Sequence, residues 1–327
     1  MSLRVAIGAL CLFIALHVAT MATTTARAED YPTRPIHLLI TSPAGALVDV
    51  IGRLYAERLS EQLGRPVVVD NRPGAMTQLA TDVLVHAEAD GYTLMLGTSE
   101  LAMLPFLKRD YPFNPTKDLV PVSLVTTSWT LFAVYPGLPV RTLLDFIDYA
   151  KAQPGKLRYG SGGVGGALHI AVEMLKLKTG IDMIHVPYRG GEQEVTDAMA
   201  GQIEMASMGL ASGRVAEGGK LRLLAQTGPV RHPLFPDVPT TAEDGLPDVR
   251  MDTWFGLVAP PKTPESIVAR LDRATANVES EQSFRDGLAK IGCAPAYKSH
   301  AEFAAFIASD LDKWRKLIPA LGIPLIE

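Results

Sequence analysis

The sequence predicts an α/β protein of two lobes, the second inserted into the first and joined to it by a hinge of two strands. Three features of the chain lead to this prediction. Short apolar strands alternate with amphipathic helices, as in parallel sheets with helical crossovers. Loops that carry glycine or hydroxyl residues follow several of the strands. The last third then turns helical without new alternating strands, so we expect its helices to return to the first sheet.

The first third follows the order strand, helix, strand, helix, strand, which predicts parallel pairing with right-handed crossovers. A helix from about residue 48 to residue 63 carries Ile51, Tyr55 and Leu59 on one face, and Gly64 closes it. A second helix is predicted over 77–86. The strands of this part are predicted over 36–41, 66–70 and 92–97.

The middle third repeats the alternation, with a glycine-rich loop after the strand that ends at Gly160. Helices are predicted over 143–152 and 168–178. The strands are predicted over 131–135, 157–160, 183–186, 203–208 and 221–227.

The final third opens with a strand over 253–259. Thr263 and Pro264 then predict a helix start, as N-cap and first helical residue. Ser299 and Glu302 form a capping box for a last helix over 301–317.

The chain is predicted to cross between the lobes near 126–132 and 251–255. We therefore assign residues 29–128 and 253–327 to the first lobe and residues 129–252 to the second. Two lobes joined by two strands make a hinge.

An export signal is predicted over residues 1–28. Arg4 gives a positive start, an apolar run follows, and Ala26-Arg27-Ala28 has the small-x-small pattern of a cleavage site. The run is shorter than the ~20 residues that a membrane span needs, so cleavage near Ala28 is favoured over a retained anchor. In a bacterium the mature protein would be periplasmic.

The mature chain is acidic and has one cysteine, Cys293. Residues 1–28 hold two of the 31 basic residues and none of the 35 acidic ones, so the remaining chain carries a formal charge of −6. No basic cluster remains to bind a nucleic-acid backbone. One cysteine excludes an internal disulfide. We expect a monomer that is not embedded in a membrane.

Four loops at predicted strand ends are candidates for a ligand site, because open α/β sheets bind ligands where strands lead into helix N-termini. Unpaired N–H groups and the positive end of the helix dipole suit anions such as carboxylates there. Glycine also makes tight turns without any ligand, but two loops from each lobe favour a cleft. The loops are 42–49, 97–101, 160–169 and 188–192.

A dinucleotide site is the sharpest alternative, because residues 160–165 match its glycine pattern and Arg189 could hold a 2′-phosphate. The motif lies in mid-chain, however, and no acidic residue follows at the end of the next strand. We therefore expect no cofactor.

A catalytic or metal centre is not predicted. Ser161 lacks the Gly-x-Ser-x-Gly elbow because Tyr159 precedes it by two residues. The six histidines of the mature chain form no metal-ligand spacing. His169 and Glu173, one turn apart, are interpreted as a pair on a helix surface.

A series of short motifs makes the sequence resemble a known family, the Bug proteins, which are extracytoplasmic solute receptors of tripartite tricarboxylate transporters. The resemblance covers residues 31–323, and the order of the motifs makes it specific. They are Tyr31-Pro32 to Pro35-Ile36, Pro43-Ala44-Gly45 with Asp49, the stretch 67–75, Asp90-Gly91-Tyr92 to Ser99, 118–124, 154–157, His185-Val186-Pro187-Tyr188-Arg189-Gly190, 237–240, and Trp254-Phe255-Gly256-Leu257 to Pro260.

The resemblance implies a type II periplasmic binding protein-like fold, whose two lobes close on a small carboxylate and deliver it to a membrane permease. It also implies that the first loop and the glycine loop of the second lobe hold the ligand, partly through water. The implied ligand-binding residues are Pro43, Ala44, Gly45, Ala46, Asp49, Thr98 and Ser99 in the first lobe, and Gly163, Gly165, Gly166 and Ala167 in the second. Arg189 is added as a candidate on its chemistry, because its guanidinium is a counter-ion for a carboxylate.

This chain departs from the family pattern at both loops. Ser42, Ala44, Ala46 and Val48 replace an aromatic residue, a proline, a glycine and a threonine. The second loop lacks the usual asparagine and hydroxyl residues, and Met208 stands where aspartate is common. We therefore expect a pocket less polar than the family norm, suited to a ligand with one anionic end and an apolar or aromatic body.

Two site residues keep open alternatives. Asp49 could complement the helix dipole or meet an amide, hydroxyl or ammonium group of the ligand. Arg189 could bind the carboxylate, form a salt bridge between the lobes, or be solvated. At the level of the whole protein, an exported α/β enzyme using the same cleft and a solute sensor are the alternatives to a transport receptor.

Overall fold

The first third of the chain forms the parallel sheet that its sequence pattern predicts. A computed structural model describes residues 31–188 and 191–326, so the predicted export signal and Arg189 lie outside the described residues. Leu38 pairs with Val69 on one side and Leu94 on the other, in parallel register. The elements in order are β1 (Ile36–Ile40), α1 (Leu47–Leu63), β2 (Val67–Asn71), α2 (Gln78–Val85), β3 (Thr93–Thr98) and α3 (Glu100–Leu107).

A single long strand, β4 (Val120–Val134), links two parts of the sheet. Its first part pairs antiparallel with the strand that begins at Asp252, and Thr126 lies opposite Phe255. Its last part pairs with the strand from Met205, and Phe132 lies opposite Ser207. The change of partner falls within the predicted crossing at 126–132, whereas the lobe boundaries themselves stay a prediction.

The middle third builds a second parallel arrangement beside β4. Thr142 and Asp145 form a capping box that begins α4, since each side chain accepts from the other residue's backbone N–H. The elements are α4 (Leu143–Lys151), β5 (Leu157–Ser161), α5 (Ala167–Thr179), β6 (Met183–Pro187), α6 (Gly191–Met199), β7 (Met205–Gly209), a 3-10 helix (Leu210–Gly219) and β8 (Arg222–Gln226).

The final third returns to the first sheet, as predicted, with two corrections. The predicted helix start at Thr263 and Pro264 is wrong by one residue: Pro264 is extended and occupies the N-cap position. A further strand, β10 (Ala294–Lys298), also pairs antiparallel with β4, although no strand was predicted there. The elements are β9 (Asp252–Ala259), α7 (Glu265–Ser280), α8 (Gln282–Lys290), β10 (Ala294–Lys298) and α9 (His300–Ala320).

The sheet order is β2-β1-β3-β9-β4-β7-β5-β6, with β8 and β10 also paired to β4. The capping box of Ser299 and Glu302 begins α9, as predicted. This helix covers the first sheet, where Phe303 meets Trp254 edge to face with ring centroids 5.5 Å apart. Within the described ranges, no helix is long and apolar enough to cross a membrane.

Candidate ligand-binding site

A cavity of about 440 Å³ lies where α1, α3 and α5 begin and where β4 and β9 run side by side. Both parts of the sheet contribute to its walls. From the first part come Thr41, Ser42, Leu47, Val48, Met76, Thr77, Thr98, Glu100, Thr253 and Phe255; from β4 and the second part come Ser128, Trp129, Thr130, Ala167, Leu168, Gly209, Ala211 and Ser212.

Apolar groups and neutral hydroxyls make up most of these walls. Trp129 is buried and held in place, because its indole Nε1 donates to Gln226 Oε1 at 2.9 Å and its ring meets His232 edge to face. Phe255 and Leu168 add further apolar surface. No Lys, Arg or His contributes to the described lining.

Two helices begin at the cavity in the same way. Gly45 and Gly165 both have a left-handed φ, of 86° and 76°, and the residue after each adopts nearly the same extended N-cap conformation. The first two residues of α1, at 47–48, and the first two of α5, at 167–168, line the cavity. The first backbone N–H groups of a helix have no partner within it, so two positive helix ends meet at this cavity.

Each glycine is fixed by a side chain four residues later. Gly45 N donates to Asp49 Oδ2 at 2.9 Å, and Gly165 N donates to His169 Nδ1 at 3.0 Å. The carboxylate in one loop and the imidazole in the other thus accept equivalent hydrogen bonds from a glycine N–H. The N–H groups of both glycines are therefore engaged within their own loops.

Asp49 is buried in a network of the first loop. Besides Gly45 N it accepts from Asn71 Nδ2 at 2.9 Å and from Arg53, whose Nε lies 3.0 Å from Oδ2. The hydrogen bond from Arg53, with those from Gly45 and Asn71, outweighs burial and lowers the pKa of Asp49 to about 2. The carboxylate stays ionised and shapes the loop, and it does not belong to the cavity lining.

Replacing Asp49 by asparagine should destabilise the protein by about 1.5–3 kcal/mol at pH 7, the usual worth of hydrogen bonds to a charged group. The folded pKa lies below the ordinary value, so this contribution is present above about pH 4 and is lost as the pH falls through about 2. Urea unfolding at pH 7 and pH 3 measures it. Arg53→Gln, at a half-exposed partner, should cost less than 1 kcal/mol; equal losses in both variants would contradict this account.

His169 lies in the interior and not on a helix surface, so the interpretation of His169 and Glu173 as a surface pair was wrong. The His169 ring stacks on His185 with centroids 4.0 Å apart, and Tyr159 stacks with both rings, at 4.8 Å from His185 and 6.2 Å from His169. Burial, with the nearby charges of His185 and Lys176, lowers the pKa of His169 to about 3. The imidazole is thus neutral at pH 7, as Nδ1 requires in order to accept from Gly165.

Of the predicted ligand-binding residues, Thr98 and Ala167 line the cavity. Ser99 is buried beside them. The role of the whole predicted set stays a prediction. Asp49 lies in the first turn of α1, and the other described members lie in the two loops just before α1 and α5: Pro43, Ala44, Gly45, Ala46, Gly163, Gly165 and Gly166.

Several cavity residues were not predicted individually, although the sequence carried a signal for some. Ser128, Trp129 and Thr130 belong to the predicted crossing at 126–132, and Thr253 and Phe255 belong to the one at 251–255. A hinge between lobes borders their cleft, so these five residues could have been inferred. Met76 and Ser212 gave no such signal.

Glu100 is the one ionisable side chain in the described lining. It is the first residue of α3 and is half-buried. The Thr98 hydroxyl donates to its carboxylate through a short hydrogen bond. Among the described residues, no group of three or more His, Cys, Asp or Glu side chains is placed to hold a metal.

Comparisons with known proteins agree with this architecture. The profile of the tripartite tricarboxylate transporter family receptor matches residues 51–323. The Bordetella pertussis protein BugT is 32% identical over 302 residues, which cover 91% of this chain and 92% of BugT.

Solved structures extend the likeness to three dimensions. Rhodopseudomonas palustris Rpa4515, solved with adipate, is 32% identical with a TM-score of 0.81, covering 90% of this chain and 99% of that one. MatC from the same organism, solved with malate, is 26% identical with a TM-score of 0.73, covering 88% and 100%. The fold is therefore the two-lobed type II arrangement of periplasmic binding proteins, and the chain belongs to the Bug-type receptors of the tripartite tricarboxylate transporter family.

Proposed function

We propose that the protein is a periplasmic receptor that captures a small carboxylate between its two lobes and delivers it to a tripartite-type membrane permease. The pocket favours a ligand with one anionic end and an apolar or aromatic body. The observation that carries this proposal is the cavity itself, where two helix N-termini meet walls that are largely apolar.

The anionic end is assigned to the beginnings of α1 (Leu47–Leu63) and α5 (Ala167–Thr179). Unpaired backbone N–H groups and the positive ends of two helix dipoles favour a carboxylate there, without any basic side chain. Two converging helix starts supply enough donors for one carboxylate. A ligand with three carboxylates would place the others against apolar walls.

The body of the ligand is assigned to the surface of Trp129, Leu168 and Phe255. Apolar contact there supplies binding energy at roughly 25 cal/mol per Å² of buried apolar surface, before the costs of association. The adipate and malate found with the two relatives of Rhodopseudomonas palustris are dicarboxylates. We expect this chain to differ from them in preferring a less charged ligand.

Delivery and export follow from the same proposal. The receptor binds, closes and hands over its ligand, and it breaks no bond. Residues 1–28 direct the chain to the periplasm and are removed near Ala28. The tricarboxylate transporter family to which the chain belongs supports a permease as partner.

A thermal-shift screen tests the ligand preference. Benzoate, 4-ethylbenzoate and heptanoate should each raise the melting temperature more than citrate does at equal concentration, because binding to the folded state alone stabilises it by mass action. Mass spectrometry of small molecules released from natively purified protein identifies the physiological ligand. A larger shift with citrate would overturn the apolar preference, and turnover of the released molecule would contradict the receptor function.

A further inference from the structure

We propose that Glu100 selects a ligand that carries a cationic ammonium group in addition to its carboxylate. This inference rests on the proposed function and specifies the chemistry of the same cavity. It predicts an amino carboxylate as the preferred class and disfavours dicarboxylates and tricarboxylates.

The first observation is the position of Glu100 at the cavity. The residue begins α3 (Glu100–Leu107), directly after β3, and its side chain reaches the cavity wall. Thr98, which also lines the cavity, donates its hydroxyl to the carboxylate. A carboxylate offers about four acceptor positions on its two oxygens, so one donor leaves most of its capacity for a ligand.

The second observation is that Glu100 has no basic partner within the described residues. Within residues 31–188 and 191–326, no Lys, Arg or His forms an ion pair with Glu100, although fourteen such pairs occur elsewhere in these ranges. The cavity lining holds no other described charge. A half-buried carboxylate facing a closing cleft loses water and needs a positive partner, and the ligand is the available source of one.

The third observation is the charge pattern of the cavity, which has both positive helix ends and a negative side chain. The helix N-termini at Leu47 and Ala167 favour a negative group. Glu100 compensates the third helix end at the cavity and favours a positive group instead. A zwitterion satisfies both, whereas a second ligand carboxylate near Glu100 would meet a like charge. Such repulsion discriminates between ligands as effectively as attraction does.

A role in helix stability alone does not account for this placement. Glu265 occupies the same first position in α7 (Glu265–Ser280) and also complements a helix dipole, but it is exposed on the surface. Glu100 differs in that it lies on a cavity wall. Glu265 is therefore the matched control for Glu100.

Isothermal titration at pH 7 with three probes of similar length tests the proposal. The probes are 6-aminohexanoate, heptanoate and adipate, which end in an ammonium, a methyl and a second carboxylate. A second set, 4-(aminomethyl)benzoate, 4-ethylbenzoate and terephthalate, repeats the comparison on an aromatic body. In at least one set the ammonium compound should bind at least tenfold more tightly than its two partners, a difference of about 1.4 kcal/mol.

Glu100→Gln removes the charge while it keeps the shape and an acceptor for Thr98. We expect this variant to lose the tenfold preference for the ammonium compound and to gain affinity for the dicarboxylate, whereas Glu265→Gln leaves both unchanged. A tenfold preference for the ammonium compound in neither set of the unaltered protein would overturn the role of Glu100 and leave the receptor function intact. Failure of all six probes to bind, with no carboxylate released from native protein, would overturn both proposals.

Discussion

Replacing Ala167 by phenylalanine should abolish ligand binding while the free energy of unfolding changes by less than about 1 kcal/mol. Ala167 is the first residue of α5 (Ala167–Thr179) and is half-buried on the cavity wall. A phenyl ring there occupies the space of the ligand body and covers the open N-terminus of the helix. We expect affinity to fall at least a hundredfold, or about 2.8 kcal/mol.

Calorimetry with whichever probe binds the unaltered protein measures this loss. Ala301→Phe is the matched control, because Ala301 lies in the first turn of α9 (His300–Ala320) and is exposed. Urea unfolding shows whether the Ala167 variant remains folded. Full affinity in a folded Ala167→Phe variant would show that the ligand binds elsewhere.

The buried side chain of Glu194 should make the stability of the protein depend strongly on pH. Glu194, in α6 (Gly191–Met199), is fully buried. Its Oε1 accepts from Ser207 N at 2.7 Å, whereas Oε2 has no hydrogen-bond partner. Burial raises the pKa of Glu194 to about 8, against the opposing effect of the hydrogen bond from Ser207.

The folded state therefore holds a proton on Glu194 that the unfolded state releases near pH 4.5. Stability falls as the pH rises from about 4.5 to about 8, because the folded protein binds the extra proton in that range. Glu194→Gln cannot ionise and keeps an acceptor for Ser207. We expect it to match the unaltered protein near pH 5 and to be more stable at pH 8.5 by on the order of 4 kcal/mol.

Urea unfolding across pH 5–8.5 tests this expectation, and a second buried acid provides the comparison. Glu279 is also buried, and burial raises its pKa to about 8. Glu279→Gln should flatten the remaining pH dependence independently of Glu194→Gln, since distant sites contribute additively. A Glu194→Gln variant that is less stable than the unaltered protein at pH 8.5 would contradict the argument.

The glycine loops show how far sequence reasoning extends into the site. Their order and spacing predicted the helix starts at α1 and α5, and the structure places residues 47–48 and 167–168 at the cavity. The function of Asp49 and His169 in fixing Gly45 and Gly165 was not predicted. Such a contact depends on the rotamer and burial of one side chain, and a local pattern does not encode either.

The side chains that form the cavity walls could be predicted only in part from the sequence. Trp129 was part of a predicted strand crossing, but only its packing against Gln226 and His232 directs its indole to the cavity edge. Glu100 lay within the predicted loop 97–101 but carried no motif of its own. Glu100 matters because it follows β3 directly and lies at the same cavity as the N-termini of two helices, α1 and α5, from distant parts of the chain.

The sequence by itself determined the α/β class, the parallel pairing of the first strands, the return of the last helices and the loops that lead to the site. These features follow from local periodicity and from turn and capping residues, which act over a few positions. Only the tertiary structure decided the pairing of β10 with β4, the burial of His169 and Glu194, and the position of Glu100 on a cavity wall of apolar and hydroxyl groups. These properties depend on contacts between residues far apart in the chain, and burial then sets the charge and the partners of each group.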